Sequence, residues 1–192
     1  NDKIPGNPGY WVSRVAASNS APGTAYVSYT GLRHDDFKPY VYKTTDYGQT
    51  WTSIAANLPA EPINVVREGA VNPDLLFVGT ELNLYVSLDG GKSWTLLKNN
   101  LPTTSVYDLK VHPRDREIIL GTHGRSVWIA DISALEGLSL EALAHDAFLC
   151  APKTKLLGRE ILPNEAPTID FAGKSEPMGM TISYYLKSKP QG

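Results

Sequence analysis

The sequence has little of several features that would narrow its function. Of its 192 residues only one is a cysteine, Cys150, so an internal disulfide framework is excluded and a buried structural thiol is expected. The formal net charge is −2 and no basic segment with interleaved aromatic residues occurs, so nucleic acid is not expected as a partner. No apolar run approaches the roughly 18 residues that a membrane-spanning helix needs.

Motifs of common catalytic and metal sites are also missing. No Gly-rich phosphate loop follows a predicted strand, and no His-x-x-x-His pair, paired cysteines or nucleophilic serine motif is found. The segment Asp89-Gly90-Gly91 lacks the further acidic ligands of a calcium-binding loop. We therefore expect neither a cofactor nor a metal ion.

The clearest positive signal is an eight-residue pattern that occurs twice. The segments TTDYGQTW at residues 44–51 and SLDGGKSW at residues 87–94 share the form Ser/Thr-x-Asp-x-Gly-x-Ser/Thr-Trp. Their aspartates lie 43 residues apart (89 − 46). A repeat of about 40 residues in a chain rich in Val, Thr, Tyr and Gly predicts a propeller or a solenoid.

The residue types of this box predict a fixed turn. Asp and Ser/Thr side chains can satisfy backbone N–H groups of a turn, and glycine permits a positive φ that other residues resist. Tryptophan then supplies a large apolar anchor. We expect a structural role, against the alternatives of an acid/base pair or a metal site, for Asp46, Gly48, Thr50, Trp51, Asp89, Gly91, Ser93 and Trp94.

Short alternating segments around the boxes predict an all-β propeller segment of about three four-stranded antiparallel blades. The predicted blades span residues 10–57, 58–100 and 101–135, after a linker at 1–9. The third blade has no box and is expected to lack its outer strand. A short helix capped by Ser139 and an irregular tail are predicted for 136–177, and a last strand at 180–186 within the segment 178–192.

The chain resembles Asp-box (BNR repeat) β-propellers of the sortilin-like and sialidase-like superfamily over residues 10–152. The segments that carry the resemblance are DDFKPYVYKTTDYGQTW, LLFVGTELNLYVSLDGGKSW and GTHGRSVWIADIS. They are similar to the final blades of secreted bacterial proteins, which implies an extracellular or periplasmic location. The resemblance also implies that residues 178–192 begin an immunoglobulin-like domain, and that the boxes lie on the face opposite the ligand site.

Candidate functional residues therefore come from the connections at the other end of the blades. Glu81 and His123 each follow Gly-Thr at equivalent positions, so we expect them to be neighbours around the axis, with Arg125 nearby. Such a group can bind a carboxylate or a sugar or transfer a proton, or it can consist of solvated rim charges. The ligand-binding candidates are Arg33, His34, Asp35, Asp36, Glu81, His123 and Arg125.

The favoured function is a non-catalytic ligand- or protein-binding module of a larger sortilin-like propeller. The alternative is part of a sialidase-like or xyloglucanase-like glycoside hydrolase that uses Asp35, Asp36 or Glu81, although three blades cannot supply the residues that a sialidase gathers from its whole ring. A third alternative is a structural fragment. Carboxylates about 5–10 Å apart favour the enzyme, and an aromatic-lined face favours the binder. Expected partners are the remaining blades, a second copy or another chain, and a carbohydrate or peptide.

Overall fold

A computed structural model describes residues 3–154 and 179–189 of the chain. Within this part three antiparallel sheets follow one another, and we call them blades 1, 2 and 3. Blade 1 contains β1 (Trp11–Ala17), β2 (Ala25–Thr30), β3 (Tyr40–Thr44) and β4 (Thr52–Ser53). Blade 2 contains β5 (Ile63–Glu68), β6 (Leu76–Thr80), β7 (Leu84–Ser87) and β8 (Thr95–Leu96).

Blade 3 has three strands, β9 (Val106–His112), β10 (Glu117–Thr122) and β11 (Val127–Asp131). The predicted all-β segment with an incomplete last blade is therefore confirmed. The strands form where β-branched and aromatic residues alternate with polar ones, because such side chains fit a pleated, half-buried surface. Beyond blade 3 the chain continues as α1 (Ser133–Glu136), α2 (Leu140–Ala144), β12 (Ala147–Leu149) and β13 (Tyr184–Leu186).

All three blades carry a β-bulge at the same place on their first strand. In each blade the first strand has one extra, unpaired residue, and its two neighbours pair with consecutive residues of the second strand. The unpaired residues are Ser13, Asn64 and Tyr107. The shared bulge fixes which residues of the three blades are equivalent, and it was not apparent in the sequence.

The blades bury their apolar faces against one another. Between blades 1 and 2, Tyr26 and Val41 pack with Val66, Leu76 and Val78. The opposite face of blade 2 packs on blade 3 through a second cluster, which includes Val65, Phe77, Val86, Leu109, Ile118 and Leu120. Blade 2 is thus covered on both faces, which explains why the side chains of β6 and β7 are buried throughout.

Each Asp box closes on itself through its aspartate. Asp46 accepts hydrogen bonds from Thr44 Oγ1 (2.8 Å), from the backbone N of Thr50 (2.9 Å) and from Thr50 Oγ1 (2.6 Å). Asp89 makes the same set with Ser87 and Ser93. The glycines of the two boxes have φ values of 79° at Gly48 and 93° at Gly91, the left-handed region in which glycine is favoured.

The two box tryptophans differ in burial. Trp94 is 5% exposed between blades 1 and 2, where its Nε1 donates to the carbonyl of Ile54 at 2.7 Å. Trp51 is only half-buried and packs beside Ile4, Val27 and Tyr42, on the face of blade 1 that no other blade covers in the described part of the chain. Trp94 is buried because a second blade covers it, whereas Trp51 is covered only by its own blade and by the N-terminal segment with Ile4.

The segment after blade 3 differs from its prediction. Ser139 caps α2 as predicted, by accepting from the backbone N of Ala142, and the helix ends at Ala144. Of the strand predicted at 180–186, β13 forms only at its end and pairs with β12. The irregular tail at 155–177 lies outside the described residues, and the immunoglobulin-like domain at 178–192 stays a prediction.

The first helix of this segment is tied to blade 2. The buried carboxylate of Glu136 accepts hydrogen bonds from the backbone N atoms of Ala70 (2.6 Å), Val71 (3.1 Å) and Asn72 (2.8 Å). Cys150 is a buried free thiol, as expected. None of the helices in the described ranges is long and apolar enough to cross a membrane.

Replacing the buried box tryptophan should cost much more stability than replacing an exposed one. We expect Trp94→Ala to lower the free energy of unfolding by about 3–5 kcal/mol, because it removes a buried aromatic ring and leaves a cavity. Trp11, which is 60% exposed, provides the control: Trp11→Ala should change the stability by less than about 1 kcal/mol. Urea unfolding followed by circular dichroism measures both. Equal losses would contradict the burial of Trp94.

Acid should loosen the box of blade 1. Hydrogen bonds from the Thr50 hydroxyl, from the Thr50 backbone N and from the Thr44 hydroxyl lower the pKa of Asp46 from 3.8 to about 2. A depressed carboxylate pKa stabilises the fold above the unfolded-state pKa, and this contribution is lost as the pH falls from about 4 to about 2. Thermal melting should therefore show a pH-dependent loss in this window that Asp46→Asn reduces. A loss of equal size in Asp46→Asn and in the wild type would contradict this expectation.

Candidate functional site

The strand registers define two ends of the blades. In blade 2, Gly79 pairs with Leu84 next to the connection that carries Glu81, while Leu76 pairs with Ser87 next to the box of Asp89. Glu81 and Asp89 therefore lie at opposite ends of their sheet. We call the end formed by residues 31–39, 81–83 and 123–126 the upper face; all seven ligand-binding candidates lie on it.

Blade 1 presents a group of aromatic side chains on the upper face. The Arg33 guanidinium lies 4.4 Å above the ring of Trp11, and His34 stacks on Tyr10 with ring centroids 4.9 Å apart. Tyr40 packs edge-on to Tyr10, with ring centroids 5.9 Å apart. We call Tyr10, Trp11, His34 and Tyr40 the aromatic surface. Its exposed rings offer flat apolar area next to the positive charge of Arg33.

Asp36 connects two rings of this surface, those of Tyr10 and Tyr40. Its carboxylate accepts hydrogen bonds from Tyr40 OH (2.7 Å), Tyr10 OH (3.2 Å) and the backbone N of Lys38 (3.0 Å). The backbone N–H of Lys38 and then the Tyr40 hydroxyl lower the pKa of Asp36. Desolvation, followed by the hydrogen bond to Asp36, raises the pKa of Tyr40 to about 12. Asp36 is thus an ionised acceptor whose oxygens are already in use.

Asp35 differs from its neighbour. It ends the short 3-10 helix Leu32–His34 in a left-handed conformation, with φ of 54°, and it is exposed. No side-chain hydrogen bond or ion pair of Asp35 is found within residues 3–154 and 179–189. In the pair Asp35-Asp36, the first carboxylate thus has no side-chain partner among the described residues. The second accepts three hydrogen bonds.

The connection of blade 2 rests on a carboxylate that the sequence analysis missed. Glu61 is 8% exposed and accepts hydrogen bonds from Thr80 Oγ1, from Asn83 Nδ2 (3.0 Å) and from Tyr85 OH (3.0 Å). It thereby fixes the turn in which Glu81 is half-buried and Leu82 is 48% exposed. No sequence signal marked Glu61, because a glutamate between two prolines in a connection ordinarily faces solvent.

The connection of blade 3 has no such carboxylate. His123 and Arg125 are both exposed; the His123 ring lies 6.1 Å from the ring of Tyr107, and the Arg125 carbonyl accepts from Trp128 Nε1 at 2.8 Å. Within the described ranges no hydrogen bond or ion pair joins Glu81 to either residue. The expected contact of Glu81 with His123 stays a prediction.

A charged cluster links the first strands of all three blades. Arg14 in β1 lies 2.9 Å from Asp108 in β9, and Arg67 in β5 lies 3.7 Å from the same carboxylate oxygen. The Nε of Arg14 is buried and has no hydrogen-bond partner among residues 3–154 and 179–189. Burial, and then the charge of Arg14, lowers the pKa of Arg67. No linear pattern aligns residues 14, 67 and 108, so the sequence carries no signal for this cluster.

The described residues contain no group of three or more His, Cys, Asp or Glu side chains that could hold a metal ion. The Asp-box carboxylates are occupied by their own turns, as described above. Chemistry on the upper face would thus depend on aromatic rings, Arg33, Arg125, two histidines and the carboxylates of Asp35 and Glu81.

Comparison with solved structures shows the propeller fold. A GH74 xyloglucanase from Xanthomonas campestris matches with a TM-score of 0.51 and 22% identity, over 62% of this chain and 20% of that protein. An ancestral GH74 enzyme matches with a TM-score of 0.50 and 24% identity, over 61% of this chain and 14% of the other. The chain thus spans no more than about a fifth of the length of these enzymes. No curated protein matches the sequence.

A match to a family model identifies the family of the chain. The model of the Sortilin-Vps10 family, described as sortilin, neurotensin receptor 3, matches residues 39–138. This range contains both Asp boxes, all of blade 2 and blade 3, and α1. Because the match covers just over half of the sequence, the chain belongs to the sortilin (Vps10) family of Asp-box β-propeller proteins.

Proposed function

We propose that the chain is a non-catalytic ligand- or protein-binding module of a larger Asp-box propeller, and that it binds through the upper face. The aromatic surface of blade 1 is the observation that carries the proposal. Trp11 is 60% exposed, and the Arg33 guanidinium lies over its ring. Exposed Trp and Arg side chains in one surface are the residue types that dominate binding energy in interfaces.

The carboxylates of this face argue against a glycoside hydrolase. Such an enzyme needs one carboxylic acid that donates a proton and a second carboxylate roughly 5–10 Å away. Asp36 has a lowered pKa and accepts three hydrogen bonds, so it is a poor proton donor at neutral pH. Asp35 and Glu81 lie in the connections of different blades, and no hydrogen bond or ion pair joins them among the described residues.

The ligand class that suits this surface is a peptide or a carbohydrate with an apolar face. Aromatic rings supply apolar area at a low cost in side-chain entropy, and Arg33 with His34 adds donors at the edge. We also propose an extracellular or periplasmic location and further blades on the same or another chain, as the resemblance to secreted Asp-box proteins implies.

Loss of the exposed tryptophan should weaken binding without unfolding the protein. The probes are xyloglucan oligosaccharides and a peptide selected from a random phage library against the wild-type chain, titrated by calorimetry. We expect Trp11→Ala to weaken binding at least tenfold, because removing a central aromatic residue costs about 2 kcal/mol or more and about 1.4 kcal/mol is a factor of ten.

Tyr47 provides the matched control for this measurement. It is 80% exposed but belongs to the Asp box of blade 1, at the opposite end of the sheet, so Tyr47→Ala should bind normally. Equal affinity of Trp11→Ala and the wild type would contradict the proposal. Release of reducing sugar from xyloglucan that is abolished by Asp35→Asn or Glu81→Gln would instead establish the hydrolase.

A further inference from the structure

Two arginines of neighbouring blades share one carboxylate at the point where the first strands of the three blades meet. Nη2 of Arg14 in β1 lies 2.9 Å from Oδ1 of Asp108 in β9, and Nη2 of Arg67 in β5 lies 3.7 Å from the same oxygen. The backbone N of Leu109 also donates to this oxygen, at 2.9 Å. All of these contacts lie within blades 1, 2 and 3, and they bring three separate strands to one oxygen atom.

The charges of this cluster do not balance. No other carboxylate of the described residues pairs with Arg14 or Arg67, so two positive charges face one negative charge. Arg67 donates its remaining hydrogen bonds to neutral acceptors, from Nε to the carbonyl of Leu109 (3.3 Å) and from Nη1 to that of Val66 (3.4 Å). Burial, and then the charge of Arg14, lowers the pKa of Arg67. This direction is the one expected for a cation whose like-charged neighbour is incompletely neutralised.

Arg14 has a donor that the cluster does not use. Its Nε is buried and no described residue accepts a hydrogen bond from it. The Nε–H and one Nη–H of an arginine form a planar fork that matches two oxygens of a single oxyanion. Asp108 engages only one arm of this fork, through Nη2. A buried N–H without an acceptor is costly, so an oxygen that reaches Nε stabilises the cluster.

We propose that this cluster binds a small inorganic oxyanion of the phosphate or sulfate type. The anion places one oxygen on Nε of Arg14 and a second toward the guanidinium of Arg67, and it shares both cations with Asp108. The side chain of Asp108 is 45% exposed, which leaves a path for a free anion to the guanidinium groups. Because the two arginines belong to different blades, the bound anion holds the first strands of blades 1 and 2 together. This proposal does not depend on the ligand surface of the upper face.

Removing the competing carboxylate should tighten anion binding. Thermal melting of the full chain is followed over a series of sodium phosphate concentrations, with the ionic strength held constant by sodium chloride. A ligand that binds only the folded state stabilises it by RT ln(1 + [L]/Kd), so the series yields a Kd. We expect Asp108→Asn to bind phosphate at least about tenfold more tightly than the wild type, because Asp108 then neither repels the anion nor carries a charge that occupies Nη2 of Arg14.

Arg14→Lys in the otherwise unchanged chain provides a second, independent measurement. Lysine keeps the positive charge but has no planar fork, so the Kd for phosphate should rise at least about tenfold relative to the wild type. Circular dichroism without phosphate establishes that each variant folds. If Asp108→Asn does not fold, the Kd of Arg14→Lys decides, and a value equal to that of the wild type would overturn the proposal.

Asp115→Asn is the matched control for the loss of a carboxylate beside an arginine. Asp115 accepts from Arg114 Nε at 2.9 Å and from Nη2 at 2.7 Å, but Arg114 is a single arginine and its side chain is 82% exposed. This variant should respond to phosphate like the wild type, and it thereby corrects for the general stabilising effect of phosphate on folded proteins. A folded Asp108→Asn with the affinity of the wild type, or an equal gain in Asp115→Asn, would refute the oxyanion site.

Discussion

Every blade of this chain depends on a neighbour to cover its apolar face. Blade 2 has a neighbour on both sides, and the side chains of its second and third strands are buried throughout. In the described part of the chain blades 1 and 3 each contact one other blade, and Trp51 is half-buried while Val127 and Ile129 are exposed there. A twisted four-stranded sheet cannot bury both of its faces by itself, so the position in the row decides the burial of a residue more than its type does.

The contacts that join one repeat to the next are not only apolar. Two buried glutamates receive N–H and O–H donors from another repeat. Glu68 accepts from Ser18, Ser20 and Tyr26 of blade 1, and Glu136 accepts from the backbone of residues 70–72 in blade 2. Desolvation, followed by the hydrogen bond to Glu68, raises the pKa of Tyr26. A buried carboxylate without these donors would be costly, so each one requires the correct relative placement of two parts of the chain.

Carboxylates that accept several hydrogen bonds also hold the connections of the upper face. Asp36 in blade 1 and Glu61 in blade 2 fasten the connections above them through tyrosine, threonine and asparagine donors, whereas the connection of blade 3 contains no carboxylate. In blade 1, hydrogen bonds to Asp36 thus hold the rings of Tyr10 and Tyr40, and in blade 3 His123 and Arg125 lie on a turn with no such carboxylate. This difference favours blade 1 in the proposed binding, because pre-ordered side chains lose less entropy when a ligand binds.

The sequence by itself determined the repeat, the all-β blades and the boxed turns, because these depend on local residue types: alternation in the strands, Asp with Ser/Thr for the turn hydrogen bonds, and glycine for positive φ. It also marked Ser139 as a helix cap. It did not reveal the bulges at Ser13, Asn64 and Tyr107, the roles of Glu61 and Glu136, or the cluster of Arg14, Arg67 and Asp108. Those features depend on which distant segments meet, and a glutamate in a connection looks the same in sequence whether it is solvated or buried. Only the tertiary structure decided that Trp94 is buried while Trp51 is half-buried. It also decided that Val106 fills the space above Gly79, whereas the space above Gly121 is open among the described residues. Both differences depend on whether an adjacent blade covers the residue.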